Sequence, residues 1–99
     1  MEKRIHNEKW NEWEFSLSDE EVIHFIAQRL SKSNPGLSPS DFRRRPYSKE
    51  YAASFRRADG GDASITVGIG NLKRYFGAFT LGFTDGGIRF IRRMQKNFR

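Results

Sequence analysis

The chain has no cysteine, so neither disulfides nor thiolate metal ligands contribute, and a reducing compartment suits it. It has no apolar run approaching the roughly 18 residues of a membrane helix, and no apolar block behind a basic N-terminus. Spanning and secretion are both argued against, which leaves a cytoplasmic chain as the expectation, with nucleoid or nucleus as variants of it. Histidine is scarce, with His6 and His24 alone and no second histidine at a ligand spacing from either, whereas zinc sites take three or four ligands. Gly68-Ile69-Gly70-Asn71 is glycine-rich but has neither the length nor the Lys-Ser/Thr of a phosphate loop. Glu12 and Glu14 share one strand face at the spacing of some carboxylate pairs, yet alternating acids on a solvated strand are commonplace. The parts from which an ordinary hydrolase or transferase is built are therefore missing, and no catalytic residue, metal or cofactor is assigned.

Acids are also scarce, but only in part of the chain. Residues 51–99 hold nine cations against Asp59, Asp62 and Asp85, so the formal net charge of +6 belongs to the second half. Seven of the 12 acids lie before Val22, and from there on fifteen cations face five acids. Twelve of the cations are arginine, whose planar fork suits phosphate or carboxylate and whose face stacks on rings. A pI near 10.1 is the electrostatic footprint of a nucleic-acid binder. Solubility is the bland explanation of the same charge.

Aromatic residues are abundant at 14%, with 9 Phe, 3 Tyr and 2 Trp in 99 residues, which is too much apolar bulk for a disordered chain and enough for one domain. Residues 1–8 are polar and read as a flexible tail, with a single compact domain over 9–99. Trp13, Phe15 and Leu17 alternate with Glu12, Glu14 and Ser16, which predicts a strand over 10–17. Ser18-Asp19-Glu20-Glu21 is a capping box, and Val22, Phe25, Ile26 and Leu30 form a stripe behind it, predicting a helix over 19–32. Asn34-Pro35-Gly36 stops that helix, and 33–48 reads as loop around a single turn at Ser38-Pro39. Tyr51–Arg57 and Ala63–Ile69 read as a hairpin across Asp59-Gly60-Gly61-Asp62. After a reversal at Gly70-Asn71, the alternation of Tyr75, Gly77, Phe79, Leu81 and Phe83 predicts the longest strand. Thr84-Asp85-Gly86-Gly87 turns the chain into a last strand from Ile88 to about Arg93, with a C-terminal helix as the competing pattern. The fold class is α+β, one main helix packed on a small antiparallel sheet of four to five strands.

Binding residues are better represented than catalytic ones. Arg43, Arg44 and Arg45 make the densest cluster, in what reads as a loop beside Tyr47. Arg56 and Arg57 end one strand, Lys73 and Arg74 begin another, and Arg92 and Arg93 decorate the C-terminal segment. These cations are expected to hold the phosphates of RNA or DNA, with Tyr47 or Phe76 as an exposed stacking ring. The alternative is a protein-binding module, an inhibitor or adaptor for an acidic surface, or a homodimer, that presents Trp10 and Trp13 among acids.

Overall fold

The computed structural model describes residues 3–6, 10–77 and 79–95, with side chains over 12–77 and 79–93. The elements are β1 (Lys3–His6), β2 (Trp10–Ser18), α1 (Asp19–Leu30), a 3-10 turn (Pro39–Asp41), β3 (Phe42–Arg45), β4 (Glu50–Arg56), β5 (Asp62–Gly68), α2 (Ile69–Phe76), β6 (Thr80–Phe83) and β7 (Gly87–Gln95). The class is α+β as the sequence predicts. The strands, however, form two antiparallel sheets instead of one, ordered β1-β2-β7-β6 and β3-β4-β5.

The strongest local signals act as read. The Ser18 hydroxyl accepts from the Glu21 amide at 3.1 Å, and the Glu21 carboxylate accepts from the Ser18 amide at 2.8 Å. Val22, Ile26 and Ala27 bury one face of α1, and the helix closes at Leu30, whose carbonyl accepts from the Asn34 side chain at 2.8 Å. The hairpin β4–β5 pairs from Glu50↔Gly68 to Arg56↔Asp62, turning Tyr51, Ala53 and Phe55 inward. The C-terminal segment is strand, not helix: β7 pairs with β2 from Ser18↔Gly87 to Trp10↔Gln95. At that crossing a Cβ on Gly87 would overlap the Leu17 carbonyl, so the close approach of the two strands requires glycine.

Several expectations change. Lys3–His6, read as part of a frayed tail, forms β1 and pairs with β2, while residues 1–2 and 7–9 lie outside the described residues. Arg43–Arg45 lie in strand β3 and not in a loop, because Phe42 and Arg44 both find places facing inward. The long third strand is overturned. Ile69, Leu72 and Phe76 recur at helical spacing, so 69–76 folds as α2, and Gly77 ends it at φ +45° with its amide on the Lys73 carbonyl at 2.7 Å. Only Thr80–Phe83 remains strand. Phe76, expected on an open face, stacks on Phe25 at 4.8 Å and meets Phe90 edge-on at 4.7 Å.

The sheets share one hydrophobic core, and a polar junction fastens them at its edge. Arg44 on β3 reaches across to Asp19, the first residue of α1, at 2.9 and 3.1 Å, and also donates to the Gly87 and Thr84 carbonyls at the β6–β7 turn. Tyr51, its register partner on β4, donates to Asp19 Oδ1 at 2.7 Å. Phe83 lies under both, 5.0 Å from the guanidinium and 5.6 Å from the Tyr51 ring. Arg44 keeps 15% side-chain exposure and Asp19 27%, so water screens this pair little. Arg44, expected to hold phosphate, is thereby committed to the interior. Burial above all, then the Asp19 carboxylate, pushes the Tyr51 hydroxyl well above the ordinary tyrosine range, against a smaller opposing pull from Arg44.

Arg44→Met should lower the unfolding free energy by about 2–3 kcal/mol, since it strands the Asp19 charge and two carbonyls, and Tyr51→Phe by about 1 kcal/mol. Urea melts measure both, and a loss for Arg44→Met no greater than for an exposed arginine would show that the junction does not hold the sheets. Folded Tyr51 keeps its proton where an unfolded tyrosine, with a pKa near 10, releases it. Its contribution is therefore complete below about pH 10 and is lost as pH rises further, and Tyr51→Phe should flatten that alkaline decline.

Candidate nucleic-acid interface

Along the β2–β7 ladder, the strand register decides which described cations meet an acid. On the outer face of the β2–β7 ladder, Glu12 lies opposite Arg93 and accepts from its Nε at 3.1 Å. Glu14 takes Arg89 at 3.4 Å. Glu12 and Glu14 are thus taken by Arg93 and Arg89, and Arg93 is charge-compensated. Arg92 points to the other face, opposite Trp13 in the ladder. Trp13 retains 37% exposure. Trp10 pairs with Gln95 through the backbone, and its side chain lies outside the described residues.

The outer face of the β3-β4-β5 sheet carries Arg43 and Arg45, then Ala52, Ser54 and Arg56, then Asp62, Ser64 and Thr66. Its middle is a floor of small side chains with a basic rim. Arg45 sits 3.5 Å from Glu50 and Arg56 3.9 Å from Asp62, both largely in solvent, while Arg43 donates only to the Ser40 and Phe42 carbonyls. Arg57 pairs loosely with Asp59 at 3.6 Å in the β4–β5 turn. Tyr47, in the turn between β3 and β4, is fully exposed.

A third group forms where the two helices end. Phe25 of α1 packs against Tyr75 and Phe76 of α2, at 6.0 and 4.8 Å between ring centroids. The Arg29 guanidinium lies 5.1 Å from both the Phe25 and the Tyr75 ring, held flat by cation–π contact. Lys32 follows Arg29 by one helical turn, and Lys73 and Arg74 precede Tyr75, all exposed. Among the described residues none of these four cations makes an ion pair, and their place at helix C-termini suits the helix dipoles. Arg29 and Lys32 are absent from the sequence-based site. Their signal is there to be read, since no acid occurs in 22–40 or in 63–84.

No titratable cluster suggests catalysis: among the described residues no three His, Cys, Asp or Glu side chains gather as metal ligands, and His24 is exposed with Nδ1 2.9 Å from the Glu20 carbonyl. No described helix is long and apolar enough to cross a membrane. No protein-family model, curated protein or solved structure matches the chain.

The compensated pairs of the ladder are solvent-screened, so Arg93→Ala should change stability by less than about 1 kcal/mol. Denaturant melts of this variant beside Arg44→Met provide the check, and equal losses would contradict the division between junction and surface.

Proposed function

We propose that the chain is a small nucleic-acid-binding domain, not an enzyme, that holds phosphates of RNA or DNA on its uncompensated cations. The observation that carries this reading is the helix-end group. Lys73 and Arg74, like Arg29 and Lys32, come from stretches of chain without acids, and the Arg29 guanidinium rests within 5.1 Å of two ring centroids. Phosphate chains reward this arrangement, because each contact releases condensed counterions and the cations have no internal carboxylate to surrender. Arg43, which meets no acid among the described residues, extends the basic surface on the second sheet, beside Arg45 and Arg56 in loose exposed pairs with Glu50 and Asp62, and Tyr47 offers an exposed ring there. Arg44, Phe76 and Arg93 fall outside this reading, since each is engaged within the protein.

One observation favours a second reading, a protein-binding module: an exposed Trp13 stands opposite Arg92, and both residue types are enriched at interface hot spots.

Fluorescence anisotropy with labelled single-stranded and duplex RNA and DNA, titrated with salt, tests the proposal. Reversing Lys73 and Arg74 to Glu should weaken binding and lower the salt slope by about 0.7–0.9 per lost contact, whereas Arg93→Glu should leave both nearly unchanged. Binding that ignores the Lys73 and Arg74 reversal would overturn it and turn attention to a protein partner.

A further inference from the structure

Alternation along β2 places Trp13, Phe15 and Leu17 on one face, and the ladder sets Arg92 opposite Trp13 and Phe90 opposite Phe15. Phe15 stacks on Phe90 with centroids 4.7 Å apart and the rings nearly parallel. Phe79, from the connection between α2 and β6, meets Phe15 edge-on at 5.2 Å. Trp13, Phe15, Phe79 and Arg92, with Glu14, line an open cleft of about 310 Å3. Small-molecule sites range over roughly 300–1,000 Å3, so this one takes a single planar group. The Glu14 carboxylate is held by Arg89, which leaves Arg92 as the uncompensated charge at the rim.

We propose that the cleft receives one unpaired nucleobase of a single-stranded nucleic acid, stacked on its rings, with Arg92 on the adjoining phosphate. The inference rests on the nucleic-acid reading above and assigns its substrate class. Three observations favour a base over another planar group. Three of the five lining residues are aromatic, and rings can stack on any base. Among the described residues, the uncompensated charge beside them is a guanidinium, matched to phosphate. The uncompensated cations of α2 are also close along the chain: Arg74 and Phe79 are five residues apart, at most about 17 Å even if fully extended. A strand crossing Lys73 and Arg74 therefore reaches the cleft within a few nucleotides. A duplex cannot use it, because its bases are already stacked and paired.

The test uses the full chain carrying Trp10→Phe, so that Trp13 is the sole tryptophan, titrated with a short single-stranded oligonucleotide and with the duplex of the same sequence. Single strands should quench Trp13 emission and duplex should not. Trp13→Ala should weaken single-strand binding roughly tenfold and leave duplex binding unchanged, with Trp13→Phe restoring most of the loss. Arg92→Gln should lower the single-strand salt slope by about 0.7. If Trp13→Ala leaves single-strand affinity intact, or weakens both forms equally, while the Lys73 and Arg74 reversal still weakens binding, the cleft assignment is wrong and the phosphate reading stands. If neither form binds at physiological salt, both are wrong. Should Trp13→Ala fail to fold, the quench in the Trp10→Phe chain decides alone.

Discussion

Two sheets and a helix N-terminus meet at a single guanidinium, and the arrangement of the molecule depends on it. Arg44 binds both α1, through Asp19, and the β6–β7 turn, through two carbonyls, while itself belonging to the other sheet. An arginine facing inward is normally expensive, because desolvation opposes it. Here the carboxylate accepts at both oxygens, Tyr51 supplies a further donor to it, and the Phe83 ring covers the guanidinium face. The position of Asp19 at the start of α1 adds the favourable end of the helix dipole to the carboxylate. The β3-β4-β5 sheet thus docks in one register and exposes its small-residue face outward.

Docking also sorts the charge. A net charge of +6 says little about where a polyanion would sit. Cross-strand pairing between β2 and β7 sets Glu12 and Glu14 on Arg93 and Arg89 and neutralises the outer face of that ladder. Packing of Phe25 on Tyr75 and Phe76 does the opposite, drawing together two stretches that contain no acid at all. The same aromatic run continues from Phe76 through Phe90 and Phe15 to Phe79, so the basic helix ends and the Trp13 cleft are two ends of one ring-packed core.

The readable parts of the fold were those specified by neighbours in sequence. The Ser18–Glu21 capping box, the Val22–Ile26 stripe, the β4–β5 hairpin across Gly60-Gly61 and the strand character of Gly87–Gln95 all follow from spacing and turn chemistry. The region 69–83 misled because its aromatics fit both periods. Tyr75, Phe79, Leu81 and Phe83 alternate like a strand, while Ile69, Leu72 and Phe76 repeat like a helix, and the hole filled by the fully buried Leu72 settled the matter. Arg43–Arg45 misled for the converse reason: three consecutive arginines resemble a solvated loop until a buried partner exists for the middle one.

The sequence by itself determined the α+β class, the start of α1, the main hairpin and the concentration of positive charge beyond Val22, because each is set by residues within a few positions of one another. Tertiary structure alone decided that the strands divide into two sheets, that Arg44 is fastened to Asp19, that Arg93 is neutralised, and that Arg29 lies against Tyr75 of α2. Each of those outcomes depends on a partner far along the chain, Asp19 for Arg44, Glu12 for Arg93 and Tyr75 for Arg29. A carboxylate or a ring changes what a guanidinium does only at contact distance, and contact distance is a property of the fold.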